Sequence, residues 1–298
     1  MADWANLPNE LLGLIVQRLS LFDDFIVFGA VCKSWKSVSD VEAKPPSPPM
    51  FPWLILAEDG DKEDERIKDK EFIQSRRFFN LSNANVYEFQ LPEASSRRCL
   101  GTHFGWLFTL GLDLQISLLH PFTRHQIPLP PQPTFSDQYE PSGEFGPEDV
   151  RYIFIRKAVL SSNPWKKTTE DYERQDCAVM TIYGEVSKLA FARLGDTSWT
   201  NVQVPSRAYD DIAFYKGHFY AVDCHGVAVV CDIDDDRNPK ALVIAPAPKG
   251  SRDHFLKYLV ESAGDLLLVS RIREFSDYES EEVMKEEKHP YLTSAFIV

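Results

Sequence analysis

Leu7-Pro8-Asn9-Glu10-Leu11-Leu12 opens the first patterned stretch of the chain, and Val31-Cys32-Lys33-Ser34-Trp35-Lys36 closes it. Pro8 suits the first turn of a helix, where a backbone N–H lacks an intrahelical partner anyway. Glu10 in that turn complements the helix dipole. A helix is expected from Leu7 to about Leu19, with Leu7, Leu11, Leu12, Leu14, Ile15, Val16 and Leu19 apolar. That set exceeds a single amphipathic stripe, so the helix needs cover on more than one side. A second short helix is expected from Asp23-Asp24 through Phe28, loosened by Gly29, and a third carrying Val31, Cys32, Trp35 and Val38. Some forty residues cannot bury that many large side chains among themselves. Either part of this surface docks on another protein, or the three helices pack on the domain that follows.

The residues Leu7-Pro8-x-Glu10-Leu11-Leu12, Ile15, Arg18-Leu19, Asp24 and Val31-Cys32-Lys33-Ser34-Trp35-Lys36-Ser37 resemble an F-box, in order and spacing. The resemblance implies a three-helix module that binds the Skp-type adaptor of cullin–RING ubiquitin ligases. It implies that Leu7, Pro8, Leu11, Leu12, Ile15, Leu19, Val31, Cys32 and Trp35 make the module's core and adaptor face. Phe25-Ile26-Val27-Phe28-Gly29 is greasier than the family pattern, which often has a basic or polar residue there.

The rest of the composition narrows the class of protein. The chain has 298 residues, 44% of them hydrophobic, enough for one large domain or two smaller ones. A net charge of −13 argues against a nucleic-acid backbone as partner. No apolar run reaches the 18 or so residues of a membrane span, and no signal-peptide pattern opens the chain, so a cytoplasmic or nuclear protein without a membrane partner is expected. The five cysteines are scattered and never spaced C-x-x-C, which suits reduced thiols.

Lys44-Pro45-Pro46-Ser47-Pro48-Pro49-Met50-Phe51-Pro52 is a proline-dense spacer, and the domain boundary is expected there. The division is then an F-box over 1–43, a proline-rich linker over 44–52 and a β domain over 53–298. Trp53–Ala57 reads as a buried strand, 58–71 as a solvated charged loop, and 131–149 as a long loop. Further strands are expected at Arg77–Leu81, Asn85–Leu91, Cys99–His103, Trp106–Gly111, Gln115–Leu119, Val150–Ser161, Ala178–Tyr183, Lys188–Arg193 and Trp199–Val204. Others follow at Ile212–Tyr215, His218–Asp223, Val227–Asp232, Ala241–Ala245, Tyr258–Ser262 and Asp265–Arg271. Many short strands with frequent turn signals and almost no helix make this region all-β.

Ile212–Val222 lines up with Tyr258–Val269, each a strand, a glycine-bearing turn and a strand, and Cys99–Leu110 is a fainter third copy. The offset between the two clear copies fits a propeller blade of about 40–50 residues. Pro52-Trp53-Leu54-Ile55-Leu56, Tyr258–Arg271 and His120-Pro121-Phe122-Thr123…Leu129-Pro130 resemble the kelch-like β domain of plant F-box proteins, His120 standing where that family usually has asparagine. The chain stops just as Leu292–Val298 begins a strand, so a kelch-like propeller incomplete at its C-terminal side, a shortened product, is expected.

No motif for chemistry emerges. Asp232-Ile233-Asp234-Asp235-Asp236 has Arg237 and Val243 where a calcium loop needs glycine and glutamate. Cys224-His225 with Cys231 does not complete a metal site, and His103, His120 and His125 read as turn residues. No nucleophile elbow, phosphate loop or zinc-protease motif occurs. The expectation is a non-enzymatic protein without metal or cofactor: the resemblance implies a substrate-recruiting subunit that binds the adaptor, and through it a cullin–RING ligase, while the β domain binds an unknown target. Two rivals stay open. One is a non-degrading competitor whose short propeller binds no target, the other a propeller enzyme.

Overall fold

The computed structural model describes residues 4, 7–19, 27–29, 31–42, 53–56, 75–81, 84–137, 146–167, 172–174, 176–205, 208–235, 238–249, 256–274 and 292–297. The expected start of the second helix, the proline-rich spacer, the charged run at 58–71 and all but the first residue of a second charged run expected at Glu274–His289 lie outside them. No helix among the described residues is long and apolar enough to cross a membrane. Residues 1–95 and 96–298 form two compact units.

In the first unit, α1 spans Asn9–Val16 and α2 spans Lys33–Glu42, with 27–29 helical between them. α1 is shorter than the stretch expected to Leu19; its last turns close as Arg18 N–H donates to Ile15 O and Leu19 N–H to Val16 O. Val31 and Cys32 precede α2 rather than lying in it, and the Cys32 carbonyl accepts from Lys36 N–H at its start. Leu12, Val16, Phe28 and Val38 make the helical core. A three-stranded antiparallel sheet follows, β1 (Trp53–Ile55), β2 (Ser75–Asn80) and β3 (Asn85–Gln90). Trp53 lies 5.0 Å from the Tyr87 ring and Phe78 5.5 Å from Phe89, so aromatic pairs hold this small sheet.

The second unit is a run of antiparallel meanders. β4 (Arg97–Gly101), β5 (Leu107–Gly111), β6 (Ile116–Leu119) and β7 (Gln126–Leu129) form a four-stranded sheet in chain order. Next come β8 (Ile155–Leu160), a separate hairpin of β9 (Trp165–Lys167) and β10 (Tyr172–Arg174), then β11 (Ala178–Tyr183), β12 (Lys188–Arg193) and β13 (Thr200–Asn201). These make the sheet β8-β11-β12-β13, with the β9–β10 hairpin inserted after its first strand. β14 (Tyr209–Tyr215), β15 (His218–Asp223), β16 (Ala228–Asp232) and β17 (Lys240–Ala245) form another sheet, and β18 (Leu256–Ser262), β19 (Asp265–Glu274) and β20 (Leu292–Ile297) the last. β4 lies against β8, β8 against β14 and β14 against β18, so the first strand of each sheet meets the first strand of the next. This is the arrangement of propeller blades about an axis.

The sequence repeat is real in three dimensions. β14–β15 and β18–β19 are both hairpins with two-residue loops, Lys216-Gly217 and Ala263-Gly264, and all four loop residues have positive φ. Tight hairpin turns of this kind match the right-handed twist of the strands, and glycine at the second loop position relieves the strain. Tyr215 Oη and Lys216 Nζ both donate to Gly264 O, tying the two loops together.

Two expected strands are corrected. Val150–Ser161 is not one strand: Pro147–Ile153 is a helix, α3, and β8 begins only at Ile155. Pro147 at the helix start with Glu148 and Asp149 in the first turn is a helix signal. Trp199–Val204 shortens to β13, because Gln203 leaves its sheet to make a parallel bridge to Lys240, donating to Pro239 O and accepting from Ala241 N–H. Gln203 thereby covers the first residues of the β17 edge. Pro246 and Pro248 follow β17 at once, so the strand does not continue.

One acidic pair joins three blades. Asp211, on β14, is buried; it accepts from Lys157 Nζ of β8 and from Leu259 N–H of β18. Its neighbour Asp210 accepts from Lys257 N–H at 3.1 Å, and burial raises the Asp210 carboxyl above its usual range. Lys257 is itself buried and donates Nζ to Cys224 O at 2.8 Å.

Candidate adaptor-binding surface

α1 presents two apolar sides. Pro8 caps it with its carbonyl, accepting from Leu11 N–H at 3.0 Å and Leu12 N–H at 3.1 Å. Leu12 and Val16 turn inward onto Phe28 and Val38, while Leu7, Ile15, Leu19 and Trp35 pack half-buried around them. The Trp35 ring lies 4.6 Å from that of Phe28, and its Nε1–H donates to Trp4 O at 3.0 Å. Segment 27–29 approaches α2 closely: a Cβ on Gly29 would sit 3.1 Å from Ser39 Oγ, which is held by donating to Lys36 O at 2.8 Å.

The outer side is bare. Leu11 is 48% exposed and Leu14 53%, neighbours at i and i+3 on one side of α1. Val31 is 53% exposed, and Trp4 and Val27 are exposed as well. The residues expected to act as one set therefore divide. Leu12, placed in the adaptor-binding set, is 0% exposed and is a core residue that offers a partner no surface. Pro8, Leu11 and Val31 face solvent, and Leu7, Ile15, Leu19, Cys32 and Trp35 are intermediate. Trp4, Leu14 and Val27 are absent from the expected set, although Leu14 is readable from its i+3 spacing to Leu11. Exposed apolar neighbours on one side of a helix are the form in which a helix offers anchors to a partner groove.

The second unit shows where its titratable and aromatic residues go. Cys231 is buried and its thiol is pushed up to about 12 by burial, so it stays protonated. Cys224 Sγ lies 3.4 Å from His225 Nδ1. Among the described residues no group of three His, Cys, Asp or Glu is placed to hold a metal ion. Asp232 Oδ1 accepts from Asp234 N–H, an acidic turn. Trp106 and Trp199 are buried with their indole N–H groups satisfied, on Asn163 Oδ1 and Pro130 O. The Tyr183 hydroxyl donates to Asp137 and Asn201; burial raises its pKa well above the usual range, while Lys188 holds the Asp137 carboxyl below its own.

A helical module with a bare apolar side, followed by a succession of blades, is the layout of an F-box protein with a β-propeller. An F-box domain model matches residues 4–43, and a KIB1-4 beta-propeller model matches residues 78–298. The chain belongs to the plant F-box proteins that carry a KIB1-4 β-propeller. It is 30% identical to F-box protein SKIP23 of Arabidopsis thaliana, over 97% of this chain and 69% of that protein. It is 27% identical to the putative F-box protein At5g55150, covering 90% of this chain and 67% of the relative. Against F-box protein At2g17036 the identity is 28%, over 90% of this chain and 64% of the relative, both again from Arabidopsis thaliana. The chain thus spans about two thirds of the length of these relatives. The propeller match is to the KIB1-4 type, where the sequence pattern pointed to a kelch-like one.

Proposed function

We propose that this chain is the substrate-recruiting subunit of an SCF-type cullin–RING ubiquitin ligase. The F-box over 1–43 docks on a Skp-type adaptor, the proline-rich 44–52 segment is the spacer, and the β domain from 53 onward presents a target protein. The observation that carries this reading is the bare Leu11–Leu14 pair on a helix whose opposite side, Leu12 and Val16, is already filled. A soluble helix with two apolar sides and cover for only one is incomplete without a partner. Pro8, Leu11, Leu14 and Val31 are the contact residues of this reading; Ile15, Leu19, Cys32 and Trp35 flank them and brace the core.

The mechanism is proximity and uses no catalytic group of this chain. Holding a target beside an E2 carried elsewhere in the assembly converts an encounter between two molecules into one within a complex, which raises effective concentration. The test is a three-component capture. Immobilised full chain retains a cullin only when a Skp-type adaptor is added, and Leu11→Asp abolishes that retention. Retention of cullin without adaptor, or unchanged retention by the variant, contradicts the assignment.

A further inference from the structure

The turn between β6 and β7 is closed by three hydrogen bonds that converge on His120. Its backbone N–H donates to His125 O at 2.9 Å, its carbonyl accepts from Arg124 N–H at 2.8 Å, and its side-chain Nδ1 accepts from Thr123 N–H at 3.3 Å. The ring sits edge-on to Trp106 at 5.2 Å and to Phe122 at 5.9 Å. A Cβ on Gly105 would lie 3.9 Å from Nε2, so the β4–β5 loop also packs on the ring. Trp106 in turn donates its indole N–H to Asn163 Oδ1, in the stretch between β8 and β9.

We propose that His120 is a proton-sensitive latch: it closes the β6–β7 turn only as the neutral imidazole with its Nδ1 lone pair facing the Thr123 N–H. A proton on Nδ1 would set one donor against another and put a charge where burial disfavours it. The latch would open, and Trp106, with its link to Asn163, would lose its support. Burial, with a smaller contribution from His125, lowers the His120 pKa from 6.5 to about 4. The charged or titratable neighbours are Arg124 and His125 in the turn, both exposed, and His103 in the β4–β5 loop, whose pKa burial lowers and which all three proteins below share; Gly105 and Trp106 carry no charge.

The sign follows from linkage. The unfolded chain takes up the proton near pH 6.5 and the folded chain only near pH 4, so the latch stabilises the fold fully above 6.5 and its contribution is lost as pH falls toward 4. His120→Asn keeps a short side-chain acceptor, as in an Asx turn, and removes the titration. His120→Phe keeps a ring and removes the acceptor. Unfolding of the full chain is followed between pH 7.5 and 4 for all three. At pH 7.5 the wild type and His120→Asn melt together and His120→Phe melts lower. As pH falls to 4, the unfolding constant of the wild type rises relative to His120→Asn by on the order of 150-fold. An Asn variant that follows the wild type across this window overturns the proposal. Nitrogen chemical shifts of the wild-type imidazole provide the second readout, needed if a variant fails to fold. The proposal requires the proton on Nε2 at pH 7.5, and a proton on Nδ1 overturns it.

Discussion

Asp211 Oδ2 accepts a hydrogen bond from the Leu259 backbone N–H at 2.8 Å, across 48 positions of sequence. The same carboxylate receives Lys157 Nζ from the preceding blade. One side chain thus serves as a cross-piece for β8, β14 and β18, where the first strands of three blades meet. Asp211→Ala leaves the Leu259 N–H without this acceptor and Lys157 without its counter-ion, and is expected to cost about 2–4 kcal/mol. Denaturant unfolding of the full chain measures it. Adaptor binding should be unchanged, because the lesion lies in the second unit.

Leu11 and Leu12 are adjacent in sequence and opposite in role. Leu12→Ala opens a cavity against Val16, Phe28 and Val38 and is expected to destabilise the helical module by about 2–4 kcal/mol. Leu11→Ala removes an exposed side chain and should change stability by less than about 0.5 kcal/mol. Helical content against temperature, measured for both, separates them; equal losses would mean that the bare side is part of the core.

Gly29 and Ser39 form a coupled pair. Gly29→Ala forces the hydrogen-bonded Ser39 hydroxyl to move and is expected to cost about 1 kcal/mol. Ser39→Ala removes the obstructing oxygen, so the double variant should regain most of that loss. A double-mutant cycle on thermal unfolding, with a coupling energy near zero, would remove the close approach from the account.

Trp199 anchors the segment after β7. Its Nε1–H donates to Pro130 O at 2.8 Å and its ring stacks on Phe135 at 4.6 Å. Trp199→Phe keeps a ring but leaves the Pro130 carbonyl without its buried donor, for an expected loss of about 1–2 kcal/mol. Denaturant unfolding shows the loss, and limited proteolysis should show faster cleavage within 131–137 than in the wild type.

How much of this was legible in the sequence depended on the range of the forces involved. Ala178–Tyr183, Lys188–Arg193 and His218–Asp223 are strands at the residues expected, because each is an apolar run bounded by local turn signals. The twin hairpins were visible as a repeat because glycine at Gly217 and Gly264 marks a local backbone need. The hairpin Trp165–Lys167 and Tyr172–Arg174 was not, since polar strands carry little hydrophobic pattern. The role of Asp210 and Asp211 was hidden for another reason: their partners lie on other blades, and no local rule reports a cross-blade acceptor. The inward turn of Leu12 against the outward turn of Leu11 needed the positions of Phe28 and Val38, which helix periodicity alone does not supply.

The most direct test of the central claim is the dissociation constant of the full chain for a purified Skp-type adaptor, by titration calorimetry, for wild type, Leu11→Asp and Leu14→Asp. The account predicts saturable one-to-one binding by the wild type. It predicts weakening by about 100-fold or more in either variant, at unchanged melting temperature, because a charge would be driven into an apolar contact. No binding by the folded wild type, or undiminished binding by both variants, would contradict it.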